Sequence, residues 1–98
     1  MVGISEMTKV DLEGKWKNKP LIDCNYKENR ILIFNSGKIF LEDFFDYSDF
    51  QLEYNEEKNV MHLNISDQVV VIWQIFTEEQ VNAMIIKIND IKYYFEKL

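Results

Sequence analysis

The sequence predicts an all-β domain, a small antiparallel up-and-down β-barrel of about eight or nine short strands with a short N-terminal helical turn. Three observations point there. Apolar and polar residues alternate over short segments, as in Phe50, Leu52 and Tyr54 or Met61, Leu63 and Ile65. Compact turn signals separate those segments, with Gly37 in Asn35-Ser36-Gly37 and the pair Asn89-Asp90 suited to positive φ. The connections are also too short for parallel crossovers, so the strands form an antiparallel meander. A twisted meander of this length closes on itself and so removes its exposed edges.

The elements follow in order. Residues before Leu12 form a helical turn that plugs one end, and Gly14–Lys19 begins the sheet, with Leu21–Tyr26 as a candidate extra strand. Arg30–Phe34 is a strand, Asn35-Ser36-Gly37 turns it, and Lys38–Phe45 returns as the next strand. Tyr47-Ser48-Asp49 is the expected turn into Phe50–Tyr54, and Asn55–Asn59 the turn after it. Val60–Ser66 points Met61, Leu63 and Ile65 inward and His62 and Asn64 outward. After the tight Asp67-Gln68 connection, Val69–Phe76 is a β-branched run read as buried on both faces or closed into the barrel. Thr77–Gln80 has capping-box residues, yet the β-branched content of Val81–Ile88 makes it a single turn. Asn89-Asp90 then turns the chain into the last strand, Ile91–Leu98.

Residues 1–98 make one domain with one core. Seven Phe, five Tyr and two Trp supply enough apolar area for it without a metal or disulfides. The single cysteine, Cys24, has no partner within the chain, which either fits a reducing compartment or carries no information. No apolar run is long enough to span a bilayer, and no secretory signal is visible. A pI of 4.7 opposes direct nucleic-acid contact and an anionic membrane surface.

Charge is unevenly spread. Ile39–Ile86 holds ten acidic residues and one basic residue, Lys58, while the two ends together are mildly basic. Within that stretch lies Glu42-Asp43-Phe44-Phe45-Asp46-Tyr47-Ser48-Asp49-Phe50, with acids and aromatics interleaved. On a strand, Phe44 and Phe45 face opposite ways, so at least one large ring belongs near the rim. Rings ringed by carboxylates suit a basic protein surface: the rings contribute buried area and the acids steer and orient. The candidate partner-binding residues are Glu42, Asp43, Phe45, Asp46, Tyr47, Asp49 and Glu53. The plainer reading of the segment is a strand and turn with solubilising charges and an aromatic plug at the barrel end.

Chemistry has little to work with. His62 is the only histidine and lies mid-strand, away from any turn that presents a nucleophile. One Cys and one His exclude a zinc site. Asp46-Tyr47-Ser48-Asp49 lacks the alternate spacing and the glycine of a calcium loop. No glycine-rich phosphate loop is present. The expectation is a non-enzymatic protein with no cofactor and no metal.

Gly14-Lys15-Trp16 resembles the Gly-x-Trp opening of lipocalin-type barrels. The Phe34–Gly37 hairpin, the run from Val69 into Ile75-Phe76-Thr77 and the ending Tyr93–Lys97 are similar to small bacterial lipocalin-like (calycin-type) domains. The resemblance covers Asp11–Leu98 and implies that Trp16 packs across the closed barrel end beneath a basic side chain, Lys97 or Lys92, from the last strand. It also implies an internal ligand cavity, although true lipocalins are much longer and filling by side chains is expected here. In size and β content the chain is similar to staphostatins, cytoplasmic inhibitors of cysteine proteases.

The functional expectation is a cytoplasmic, monomeric inhibitor of protease-inhibitor, immunity or counter-defence type that blocks a basic macromolecular partner. The alternative is a carrier of a small apolar ligand in a cavity lined by Met61, Leu63 and Ile72. A structural subunit self-associating through an edge near Leu21–Tyr26 is a third.

Overall fold

The computed structural model describes residues 3–98, so Met1 and Val2 of the expected N-terminal turn fall outside the described residues. A 3-10 turn, Ile4–Glu6, and one four-residue helix, α1 (Lys9–Leu12), precede nine strands. These are β1 Gly14–Asn18, β2 Ile31–Asn35, β3 Lys38–Leu41, β4 Phe45–Asp49, β5 Gln51–Asn55, β6 Val60–Ile65, β7 Gln68–Thr77, β8 Val81–Ile88 and β9 Ile91–Lys97. Among the described residues, no helix is long and apolar enough to cross a membrane.

All nine strands form one antiparallel sheet in the order β4-β3-β2-β1-β9-β8-β7-β6-β5. First and last strands pair, Trp16 opposite Lys97, so the meander is wrapped round on itself. The margins of the sheet, β4 and β5, are separated in sequence by Phe50 alone. The sheet must therefore curl until its two margins meet at that residue, which makes a small barrel with a seam. Phe50 is buried there, its ring edge-on to Phe34 at 5.3 Å and the Lys9 ammonium 4.8 Å above it.

Alternation fixes the inside. Leu32 and Phe34, Ile39 and Leu41, Met61, Leu63 and Ile65, Val70 and Ile72, Ile86 and Ile88, and Tyr93 and Phe95 are all buried. Met7 and Leu12 seal one end from the N-terminal segment. Thr8 starts α1 by donating its backbone N–H (2.8 Å) and hydroxyl (3.1 Å) to the Asp11 carboxylate. Trp16, fully buried, donates its indole N–H to the Leu12 carbonyl at 2.9 Å, which fastens α1 to β1. Over its ring stands the Lys97 ammonium, 5.2 Å from the centroid and 3.4 Å from the Asp11 carbonyl oxygen. Lys92 is placed elsewhere, over Trp73.

The two hairpins signalled by the sequence form with left-handed turn residues, Ser36 (φ 53°) with Gly37 (φ 78°) and Asn89 (φ 52°) with Asp90 (φ 65°). No helix forms at Thr77–Gln80: Thr77 ends β7 and Glu78, Glu79 and Gln80 bend the chain into β8, as its β-branched continuation requires.

Four expectations are corrected. Lys38–Phe45 is not one strand: Glu42, Asp43 and Phe44 make a loop between β3 and β4, with Asp43 at φ 72° and the Phe44 N–H bonded to the Leu41 carbonyl at 2.9 Å. Tyr47-Ser48-Asp49 is accordingly strand and not turn, and the chain instead bends at Phe50. Leu21–Tyr26 is irregular, touching the sheet through one bridge, Asn25 to Tyr93. Finally, β7 is buried on one face only: Val69 and Trp73 are exposed and Val71 is half-buried. A bulge between Ile72 and Gln74 leaves Trp73 without a partner on β8.

The loop from Lys19 to Asn29 is tied down by a buried amide. Asn18, fully buried, donates to the Tyr94 carbonyl at 2.9 Å and to the Asn25 carbonyl at 3.5 Å, and accepts from the Lys27 N–H at 2.8 Å. One side chain thus joins two carbonyls and an N–H across the segment, beside backbone bonds such as the Asn25 N–H to the Lys92 carbonyl at 2.7 Å.

Candidate functional site

The β3–β4 loop and the β4 margin carry most of the residues singled out in the sequence. Beneath the loop, the Arg30 guanidinium is wedged between the rings of Phe44 and Tyr93, at 5.3 and 5.1 Å, and lies 3.6 Å from the Asp43 carboxylate. Lys27 completes the clamp with a 2.8 Å bond to the same carboxylate oxygen. That bond, and the positive charge behind it, holds the Asp43 carboxyl below the usual carboxylate range and raises Lys27. Lys38 does the same to Asp49 from 2.9 Å. Both acids remain largely exposed, so these pairs contribute little stability.

Position 47 is the unusual one. A register shift between Ile39 and Leu41 on β3 sets Phe40 against a bulge in β4, and within that bulge Tyr47 adopts φ 53°. A tyrosine in the left-handed region is disfavoured by its β-carbon. Its ring is 44% exposed and rests on Phe40, centroids 5.2 Å apart. Asp46 is exposed beside it, and Glu42 across the loop. The residues from Phe40 to Asp46 enclose a shallow depression of about 300 Å³.

Each expected contact residue therefore has a distinct place. Glu42, Asp43, Asp46, Tyr47 and Asp49 are brought together, exposed, on the loop and the β4 margin. Glu53 is exposed on β5, opposite His62 of β6 and beyond the seam. Phe45 is 7% exposed and part of the core, so Tyr47 over Phe40 is the aromatic that the surface offers. Among the described residues, Glu42, Asp46 and Glu53 form no ion pair, while Asp43 and Asp49 do.

A second concavity lies on the outer wall of β6, β7 and β8. It encloses about 730 Å³ and includes Lys58, His62, Val69, Val71, Trp73 and Lys87 among its lining residues. The register explains how residues so far apart in sequence meet: His62 pairs with Val71, Val71 with Lys87, and Lys87 with Lys92, one row across four strands. Both lysine ammonium groups stand over the Trp73 ring, at 4.4 Å for Lys87 and 4.3 Å for Lys92. Sequence reading missed this groove because its cations are scattered. One signal was available: the two-residue Asn89-Asp90 turn requires Lys87 to lie opposite Lys92.

Inside the barrel, Met61, Leu63 and Ile72 are packed into the core, and neither concavity is lined by any of them. Cys24 is half-buried in the Lys19–Asn29 loop, and burial pushes its thiol upward, away from the reactive thiolate. Compared with known protein families, curated proteins and solved structures, the chain matches none of them.

Proposed function

We propose that this domain is a non-enzymatic binding protein of the cytoplasm whose β3–β4 loop and β4 margin seat a basic protein partner, an enzyme or toxin that it blocks. The observation that carries the reading is Tyr47, a tyrosine kept at positive φ with its ring exposed on Phe40 and carboxylates to either side. Backbone strain of that kind persists where the surroundings enforce it, and it concentrates at functional sites. A stacked aromatic pair offers a partner apolar area with few rotamers to freeze, and Glu42 and Asp46 supply uncompensated negative charge at its border. The loop is fixed from below by Arg30, Lys27 and Asp43, so little ordering is left to binding.

The salt bridges sharpen the reading. Asp43 and Asp49 are already engaged by lysines, which leaves Glu42 and Asp46 as the steering charges. Reversing both, Glu42→Lys with Asp46→Lys, is expected to slow association with the partner and to flatten its salt dependence. Unchanged rates, or a complex indifferent to salt, would remove the acidic face from the interface. The carrier alternative has no comparable support, since the residues expected to line its cavity are packed against one another.

A further inference from the structure

We infer that the groove around Trp73 is a second, independent binding site, for a small organic anion: an aromatic ring bearing a phosphate or a carboxylate. Four features of the groove lead there. Lys87 and Lys92 are direct cross-strand partners, a placement in which like charges repel. Lys87 lines the concavity with Lys58 and His62, Lys92 joins it only over the Trp73 ring, and no carboxylate lies within ion-pair distance of any of the four among the described residues. The ring of Trp73 is the one compensation present, and it holds both ammonium groups within 4.4 Å of its centroid. In a chain with a net charge of −6, a cationic cluster with one acid in its lining and no ion pair is the exception to its surroundings.

Alternation along β7 assembles it. Val69, Val71 and Trp73 share the outer face while Val70 and Ile72 are buried, and the bulge leaves Trp73 without a partner on β8 between Ile72 and Gln74. Val69, Val71 and Val60 give the concavity an apolar floor, and Asn59, Gln74 and Asn89 add amide groups at its border. An anionic group placed between the two lysines offsets their mutual repulsion. The flat body of the same ligand then covers the valines and the edge of the indole. About 730 Å³ accommodates one such molecule, within the range of small-ligand sites. Asp90 is the single acid in the lining and disfavours a second negative group at that end. The groove shares no lining residue with the depression at the β3–β4 loop, so the two sites stand or fall separately.

The two indole N–H resonances make the test internal. Trp16 is buried and bonded to Leu12, whereas Trp73 is 37% exposed in the groove. The full chain is titrated by NMR with phenyl phosphate, adenosine 5′-monophosphate and benzoate, and in parallel with phenol, adenosine and inorganic phosphate. Saturable movement of the Trp73 signal alone is expected with the aromatic anions, at least tenfold weaker with the uncharged or ring-free controls. A preference for the phosphates over benzoate, or the reverse, identifies the anionic group. Lys87→Gln with Lys92→Gln is expected to abolish the response while leaving the Trp16 signal and the unfolding midpoint in place. Should that variant unfold, Lys58→Gln, on the groove border, is expected to weaken binding severalfold by itself. Absence of saturation with every aromatic anion, or equal binding by phenol and by adenosine, overturns the inference.

Discussion

Gly14 and Lys97 are fitted to each other: a β-carbon at position 14 would stand 3.2 Å from Lys97 Cε, and the Gly14 backbone sits at φ 127°, open only to glycine. That close approach lets the Lys97 stem run past β1 and set its ammonium over Trp16. Gly14→Ala is therefore expected to destabilise the barrel by roughly 2 kcal/mol, combining backbone strain with displacement of Lys97. Urea unfolding measures this. Adding Lys97→Ala should make the pair less than additive, because the displaced stem is then gone. Strict additivity would mean that the glycine serves the backbone alone.

Asn18 carries the irregular Lys19–Asn29 loop. Replacing it with Leu leaves the Lys27 N–H without its acceptor and takes one of two donors from the Tyr94 carbonyl, which keeps the Lys19 N–H. A loss of about 2 kcal/mol or more is expected, with faster hydrogen exchange confined to that loop and β9. Protection unchanged in the loop would show that other contacts hold it.

Acid should loosen the β3–β4 region first. Asp43 and Asp49 are held below the ordinary carboxyl value of 3.8 by Lys27 and Lys38. A carboxyl depressed in the native state stabilises it above its unfolded value, and that support vanishes as pH falls through the folded value. Lowering the pH below about 4 should thus reduce the thermal midpoint more in the wild-type chain than in Asp43→Asn with Asp49→Asn. The difference is small, since both groups are exposed. Parallel pH profiles would place the acid sensitivity elsewhere.

How much of this was legible beforehand depends on whether a feature is local. Ser36-Gly37 and Asn89-Asp90 announce their turns because left-handed geometry narrows the choice of residue. Met61, Leu63 and Ile65 announce their face because a strand has period two. The Glu42–Phe44 loop did not announce itself. Glu42 and Asp43 sit between two apolar stretches without a glycine or proline to mark a turn, and the bend is held from outside, by Lys27 and Arg30 on Asp43. Phe45 was misread as surface for the same reason, since the loop shifts which aromatic faces inward. The outer face of Val69, Val71 and Trp73 was hidden because an almost unbroken apolar run masks its own alternation. The acidic residues were found from their clustering. Their pairing with lysines is a tertiary fact that charge counting does not reach.

Tyr47 separates binding from stability. Tyr47→Gly relieves the positive φ, a gain of about 1–2 kcal/mol. It also removes the ring contact with Phe40, a loss of about 0.5–1.5 kcal/mol. The unfolding midpoint should therefore stay close to that of the wild-type chain. A marked fall would show that the ring is there for the fold.

That near-neutral variant permits the most direct measurement of all. Wild-type chain and Tyr47→Gly with Asp46→Lys are immobilised at equal density and exposed to lysate from the source cells, and bound proteins are eluted with rising salt. A basic protein retained by the wild-type chain, released by salt and missing from the variant is the predicted result. Identical retention by both, or nothing basic retained by the wild-type chain, would contradict the assignment of this surface.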